Sequence, residues 1–187
     1  GYAFDLGAFD KLVKTSDNPS KLLVINSPNN PTGQMLTAEF LEALANYCRE
    51  QNILVLSDEI YFQVVHGNQQ HVSISKYYPE GSFVLGGLSK HLSIGGWRLG
   101  LAILPDNEIG EQLIPALQVI ASETWSSVPA PIQYAALIAY SNDADLEKYI
   151  ADCAKIHGIR TRHIYDHLVS LGILCTKPIG AFYITAN

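Results

Sequence analysis

Four short polar clusters interrupt otherwise apolar stretches of the sequence: Ser27-Pro28-Asn29-Asn30-Pro31-Thr32-Gly33, Ser57-Asp58-Glu59-Ile60-Tyr61, Gly87-Leu88-Ser89-Lys90 and Gly95-Gly96-Trp97-Arg98. Between them they carry a primary amine, a carboxylate, a phenol and a guanidinium, a set able to bind and act on a small polar ligand. Each cluster has a plainer reading when it stands alone. Asn-Pro-Thr-Gly is turn chemistry, Asp58 can cap a helix that follows a strand, Lys90 reads as a surface lysine, and Arg98 can pair with any carboxylate. What favours chemistry is where the four fall together, at the ends of strands that the surrounding pattern predicts. In open α/β sheets ligands bind outside the carboxyl ends of the strands, so the clusters converge on one rim.

The elements that must position them follow from hydrophobic periodicity. Leu22 to Ile25, Ile53 to Leu56, Ser82 to Leu85 and Leu101 to Leu104 are short β-branched or aliphatic runs, the pattern of buried strands. Between the first two, Thr37 can cap a helix whose apolar positions Phe40, Leu41, Leu44, Ala45 and Cys48 recur at three- and four-residue intervals. The link between the last two is too short for a full crossover helix, so the strand at Leu101 is expected to run antiparallel. After Pro105 the character becomes helical: Glu108 to Ser122, Pro131 to Tyr140, then a long stretch from Asp143 to Leu171. Runs at Ile173 to Cys175 and Ala181 to Thr185 read as the first strands of a second, smaller unit. The expected class is therefore α/β, a mainly parallel sheet with flanking helices, followed by the beginning of a small α+β domain.

The stretch from Gly87 to Gly100, Gly-Leu-Ser-Lys-His-Leu-Ser-Ile-Gly-Gly-Trp-Arg-Leu-Gly, resembles along its whole length the cofactor-attachment signature of the class I and II aminotransferases. The Asn-Pro-Thr-Gly and Asp-x-x-Tyr clusters resemble two further motifs of that family, in the correct order. The resemblance implies pyridoxal 5'-phosphate as cofactor, with Lys90 forming the Schiff base and then moving a proton at the substrate's α-carbon, roles that require a partly deprotonated amine. Asp58 would face the pyridine nitrogen and keep it protonated, which makes the ring an electron sink. Tyr61 and Asn30 would bond the cofactor's 3' oxygen. Arg98 would clamp the phosphate with its planar fork, and Ser89 would add a hydroxyl bond. Where the family often has serine, Gly87 stands, so phosphate binding must lean on other groups. The family also implies a cis Asn30-Pro31 peptide.

By the same resemblance residues 1–143 form part of the cofactor-binding large domain, and residues 144–187 form the interdomain helix and the start of the small C-terminal domain. Gly1 to Val13 resembles the segment just after the third strand of the family's sheet, and Pro178-Ile179-Gly180-Ala181-Phe182-Tyr183 a stretch well before the family's C-terminus. Family members are about twice as long, so the chain is expected to be a central portion, inactive alone and prone to dimerise or to be weakly stable. The implied reaction moves an amino group between an amino acid and a 2-oxo acid in a cytoplasmic homodimer. Two alternatives stay open: a carbon-sulfur lyase using the same cofactor for β-elimination, and a non-catalytic cofactor-binding regulatory domain.

Composition narrows the partners. The 187 residues are 48% hydrophobic and 16% charged, as in a globular protein, and carry a formal charge of -6 with no Lys/Arg cluster. That balance disfavours nucleic acid, whose phosphates call for a basic surface. Cys48, Cys153 and Cys175 are odd in number and widely spaced, which fits a reducing compartment. The longest near-continuous apolar run, Pro129 to Tyr140, falls short of the roughly 20 residues a membrane span needs. His163 and His167, like Cys153 and His157, have a helical spacing that could share a metal, but helix faces acquire such pairs casually. His91, beside the lysine, reads as an exposed-loop residue or one behind the site, with no step assigned to it.

Overall fold

In a computed structural model, residues 4–187 are described; the beginning of the Gly1 to Val13 segment, residues 1–3, lies outside them. Four strands, β1 (Lys21–Asn26), β2 (Ile53–Asp58), β3 (Ser82–Gly87) and β4 (Gly100–Ile103), form one sheet in that spatial order. The first three are parallel and β4 is antiparallel to β3, as the short link before it requires. The helices are α1 (Leu6–Thr15), α2 (Ala38–Glu50), α3 (Glu108–Thr124), α4 (Ala130–Ala139) and α5 (Ala144–Ser170).

Helix α2 shows why these residues fold this way. Thr37, in extended conformation, accepts a hydrogen bond from the Phe40 N–H and so satisfies one of the donors a helix start leaves free. The periodic face Leu41, Leu44, Ala45 and Cys48 then lies buried against Ile25, Ile53, Val55, Ile74 and Tyr78. Burying a leucine side chain of this kind contributes about 1.5–3 kcal/mol, so α2 and the sheet hold one another. Burial also pushes the Cys48 thiol up to about 11, which makes it a packing residue rather than a nucleophile.

One helix was not anticipated, and one expectation is corrected. Leu6–Thr15 is helical, capped by the Asp5 carboxylate accepting from the Gly7 and Ala8 N–H groups, with Phe9 and Val13 turned toward α2. The runs at Ile173 to Cys175 and Ala181 to Thr185 are not strands of a second sheet. Cys175 makes a single bridge to Ala186, while Ala181 sits at φ 53° in a turn and only Gly180 bridges, to Val65. A run with one partner for one residue pair cannot propagate a ladder, and Ala181 in the left-handed region ends it.

Candidate active site

The parallel registers set the geometry of the rim. Asn26, the last residue of β1, lies opposite Asp58, the last of β2, and Asp58 lies opposite Leu85 of β3. The chain leaves the sheet at nearly one level in three neighbouring strands, so the Asn-Pro-Thr-Gly, Asp-x-x-Tyr and Ser-Lys segments emerge side by side. Because β4 runs the other way, with Gly100 opposite Gly87, its beginning lies at the same rim and the Gly95–Arg98 segment joins the other three.

Asp58 is fixed at the strand end by its own carboxylate, which accepts from the Ile60 N–H at 3.1 Å. This local turn is the plain capping role of an aspartate after a strand, and it leaves the second carboxylate oxygen for the rim. Its backbone carbonyl accepts from Asn26 Nδ2 at 2.9 Å and from the Ser27 N–H at 3.2 Å, tying β2 to the first polar loop. Three residues further, Tyr61 is buried at 2% exposure between the rings of Phe182 and Tyr183, and its hydroxyl lies 2.6 Å from the Tyr183 hydroxyl. Burial is the main reason its phenol ionises only well above the ordinary range; Tyr183 and Asp58 add to this, while the Asn30 amide works against it.

The Lys90 ammonium lies over the Tyr61 ring, 5.6 Å from its centroid. Its position comes from apolar anchoring on both sides: Leu88 and Leu92 are buried with Leu99 and Ile150 in a second core cluster, flanked by Val128, Ile132 and Ala136. Ser89 and Lys90, between the anchors, remain half-buried. Asn30 is exposed, its N–H donating to Asn26 Oδ1 at 2.7 Å, and its peptide bond to Pro31 is cis as expected; Ser27-Pro28 is cis as well. Arg98 is exposed in the left-handed region, at φ 56°, and one of its guanidinium N–H groups donates to the Gly95 carbonyl at 2.6 Å. The structure thus brings Lys90, Tyr61, Asp58 and Asn30 into one neighbourhood, whereas the contacts of Arg98 and Ser89 are local.

Sequence reasoning gave no role to three residues. Of the two readings of His91, exposed-loop or behind the site, burial excludes the first: it is 2% exposed, meets the edge of Phe62 at 5.5 Å, and among the described residues nothing bonds its Nδ1. Burial pushes its pKa down to about 4. Glu59 is 5% exposed, and its carboxylate accepts from Ser57 Oγ at 3.0 Å, Ser73 Oγ at 2.8 Å and His71 Nε2 at 2.9 Å. Tyr183 reaches Tyr61 from the far end of the sequence, where its only signal was an aromatic pair after Gly-Ala.

Tyr183 arrives there because the first polar loop is shaped to receive its segment. Gly33, at φ +68°, lies so close to Pro178 and the Tyr183 carbonyl that an added Cβ would meet both at 2.7 Å. Only glycine meets both demands. Its carbonyl accepts from the Ile179 and Gly180 N–H groups at 2.8 and 3.0 Å, and the Thr185 hydroxyl donates to the Pro31 carbonyl at 2.8 Å.

Comparison with known proteins agrees along the whole chain. The family model described as aminotransferase class I and II matches residues 1–187. An aspartate aminotransferase of Geobacillus stearothermophilus is 38% identical over 172 residues, 90% of this chain and 42% of that protein. One of Bacillus subtilis is 36% identical over 95% of this chain and 44% of its own length. Among solved structures, an aromatic aminotransferase from Pyrococcus horikoshii superposes with a TM-score of 0.85 at 31% identity, covering 98% of this chain and 47% of that one. The chain spans less than half the length of these relatives.

Proposed function

The chain belongs to the class I and II aminotransferase family, and from that premise we propose that it contributes the cofactor-bearing part of an enzyme that transfers an amino group between an amino acid and a 2-oxo acid. The cofactor is pyridoxal 5'-phosphate, and the residues present suit it: a primary amine, a carboxylate at a strand end and a buried phenol share one rim. The observation that carries the reading is the half-buried Lys90 ammonium 5.6 Å from the centre of the Tyr61 ring. When bound, the cofactor supplies an electrophilic aldehyde and a ring able to accept electron density.

Lys90 would supply the amine that holds the cofactor and would take and return a proton at the substrate's α-carbon. It can do so only as the neutral amine. Asp58 holds a proton on the ring nitrogen, a task for which its oxygen not engaged with Ile60 is available. Tyr61 and Asn30 orient the ring through its 3' oxygen. Arg98 and Ser89 bind the phosphate; the guanidinium has five N–H donors, so one bond to Gly95 leaves a fork to spare. In the same reading residues 1–143 belong to the large domain, and residues 144–187 begin a second, smaller one.

The test is borohydride reduction of the full-length protein that carries this chain, in the presence of pyridoxal 5'-phosphate, followed by peptide mapping. The label is expected on Lys90 and absent from Lys90→Ala. Labelling of another lysine, or undiminished labelling of Lys90→Ala, overturns the assignment.

A further inference from the structure

We propose that Tyr183 is a positioning residue of this site: it donates its hydroxyl proton to the Tyr61 oxygen, 2.6 Å away, and thereby commits the Tyr61 proton to a third atom on the rim. The proposal rests on the functional reading above, in which that third atom is the cofactor's ring oxygen. A phenol has one proton to give and lone pairs to receive with. The Asn30 amide also faces the Tyr61 oxygen. With Tyr183 and Asn30 both on the accepting side, the Tyr61 O–H has no competing partner among the described residues and is free to point at the ligand. A donor that itself accepts a hydrogen bond is polarised and donates more strongly.

The segment around Tyr183 is built to hold that hydroxyl still. His66 Nε2, in a side chain 8% exposed, donates to the Ala181 carbonyl at 2.7 Å. The Ala181 N–H donates to the Val64 carbonyl at 2.8 Å and the His66 N–H to the Ile179 carbonyl at 3.0 Å, so the turn is laced to the stretch just beyond Tyr61. On the opposite side Gly33 receives the Ile179 and Gly180 N–H groups. Phe182 packs on the His157 ring at 5.0 Å, which fastens the same turn to α5. A turn tied to two rim loops and a helix presents a side chain with little freedom, as a group supporting a reactive centre requires. The titratable groups facing the Tyr61 phenol are Asp58 from the end of β2, Lys90 from the segment after β3, and Tyr183 itself.

The experiment is a pH titration of the visible absorption of bound pyridoxal 5'-phosphate in the full-length protein, compared with Tyr183→Phe. The substitution keeps the ring that packs on Phe182 and Tyr61 and removes only the hydroxyl. A donor on the cofactor's ring oxygen disperses negative charge that otherwise retains the proton of the lysine-cofactor linkage. Weakening that donor moves the midpoint to higher pH. The shift expected for Tyr183→Phe is a few tenths of a pH unit, in the same direction as the larger shift of Tyr61→Phe, and adding Tyr183→Phe to Tyr61→Phe moves the midpoint no further. An unmoved midpoint with the borohydride label still on Lys90 overturns this proposal alone, as does an equal shift in the Tyr61→Phe background. Absence of the Lys90 label from the unaltered protein overturns the functional reading and this proposal with it.

Discussion

At the scale of single residues, the side chain with the least ordinary surroundings is His91. It sits between Lys90 and the buried Leu92, meets the edge of Phe62, and is driven by burial to a pKa of about 4 from 6.5. The unfolded chain takes up a proton at the ordinary value and the folded one resists it, so the favourable contribution is present above pH 6.5 and is lost as the pH falls toward 4. The full effect is about 3 kcal/mol. In urea unfolding of the full-length protein at stepped pH, His91→Phe is expected to flatten the acid side of the stability curve by roughly that amount, since phenylalanine keeps the contact with Phe62 and cannot titrate. An acid slope unchanged by the substitution would show that His91 is not its source. The family resemblance named Lys90, Asp58 and Tyr61, whose segments the apolar pattern had already placed at one rim. That pattern could not name Tyr183, whose partner lies 122 positions away, a separation that no periodicity encodes.

At the scale of elements, most of the sheet was legible: four strands, the antiparallel sense of β4 and the capped α2 all follow from apolar period and link length. Helix α1 was not read, although Leu6, Phe9, Leu12 and Val13 recur at helical spacing and Asp5 stands where a cap is needed. The join between β2 and the loop after it was silent. There Glu59, directly after β2, gathers Ser57, Ser73 and His71 and so fastens the end of the strand to the approach of the short helical turn Ile74–Lys76. Removing an acceptor that leaves several buried donors unpaired costs about 1–3 kcal/mol, more when the acceptor is charged. Glu59→Ala is therefore expected to lower the unfolding free energy of the full-length protein by about 3 kcal/mol. In that background Ser73→Ala should cost far less than it does alone, which a double-mutant cycle in urea reads directly. Additive costs would mean that the two groups do not act through one another.

At the scale of the whole molecule, the surface shows what the 187 residues leave uncovered. β1 alternates: Ile25 is buried against α2, while Leu22 and Val24 on the opposite face are 57% and 62% exposed. Among the described residues β1 also ends the sheet, so an unpaired backbone edge lies beside these bare side chains. At the other end Leu101 and Ile103 of β4 are exposed, as are Val119 and Ile120 of α3 and Tyr134, Leu137 and Ile138 of α4. Apolar faces of this extent together with an open edge drive association, because pairing the edge satisfies backbone groups and covering the faces removes apolar area from water. The polypeptide of residues 1–187 produced by itself is accordingly expected to self-associate at micromolar concentrations in sedimentation velocity. Replacing Leu22 and Val24 together by threonine, which keeps β-propensity and lowers the apolar area, should shift the distribution toward monomer. A single monomeric species across that concentration range, in the unaltered polypeptide, would mean that the exposed faces are protected in a way the alternation of β1 does not reveal.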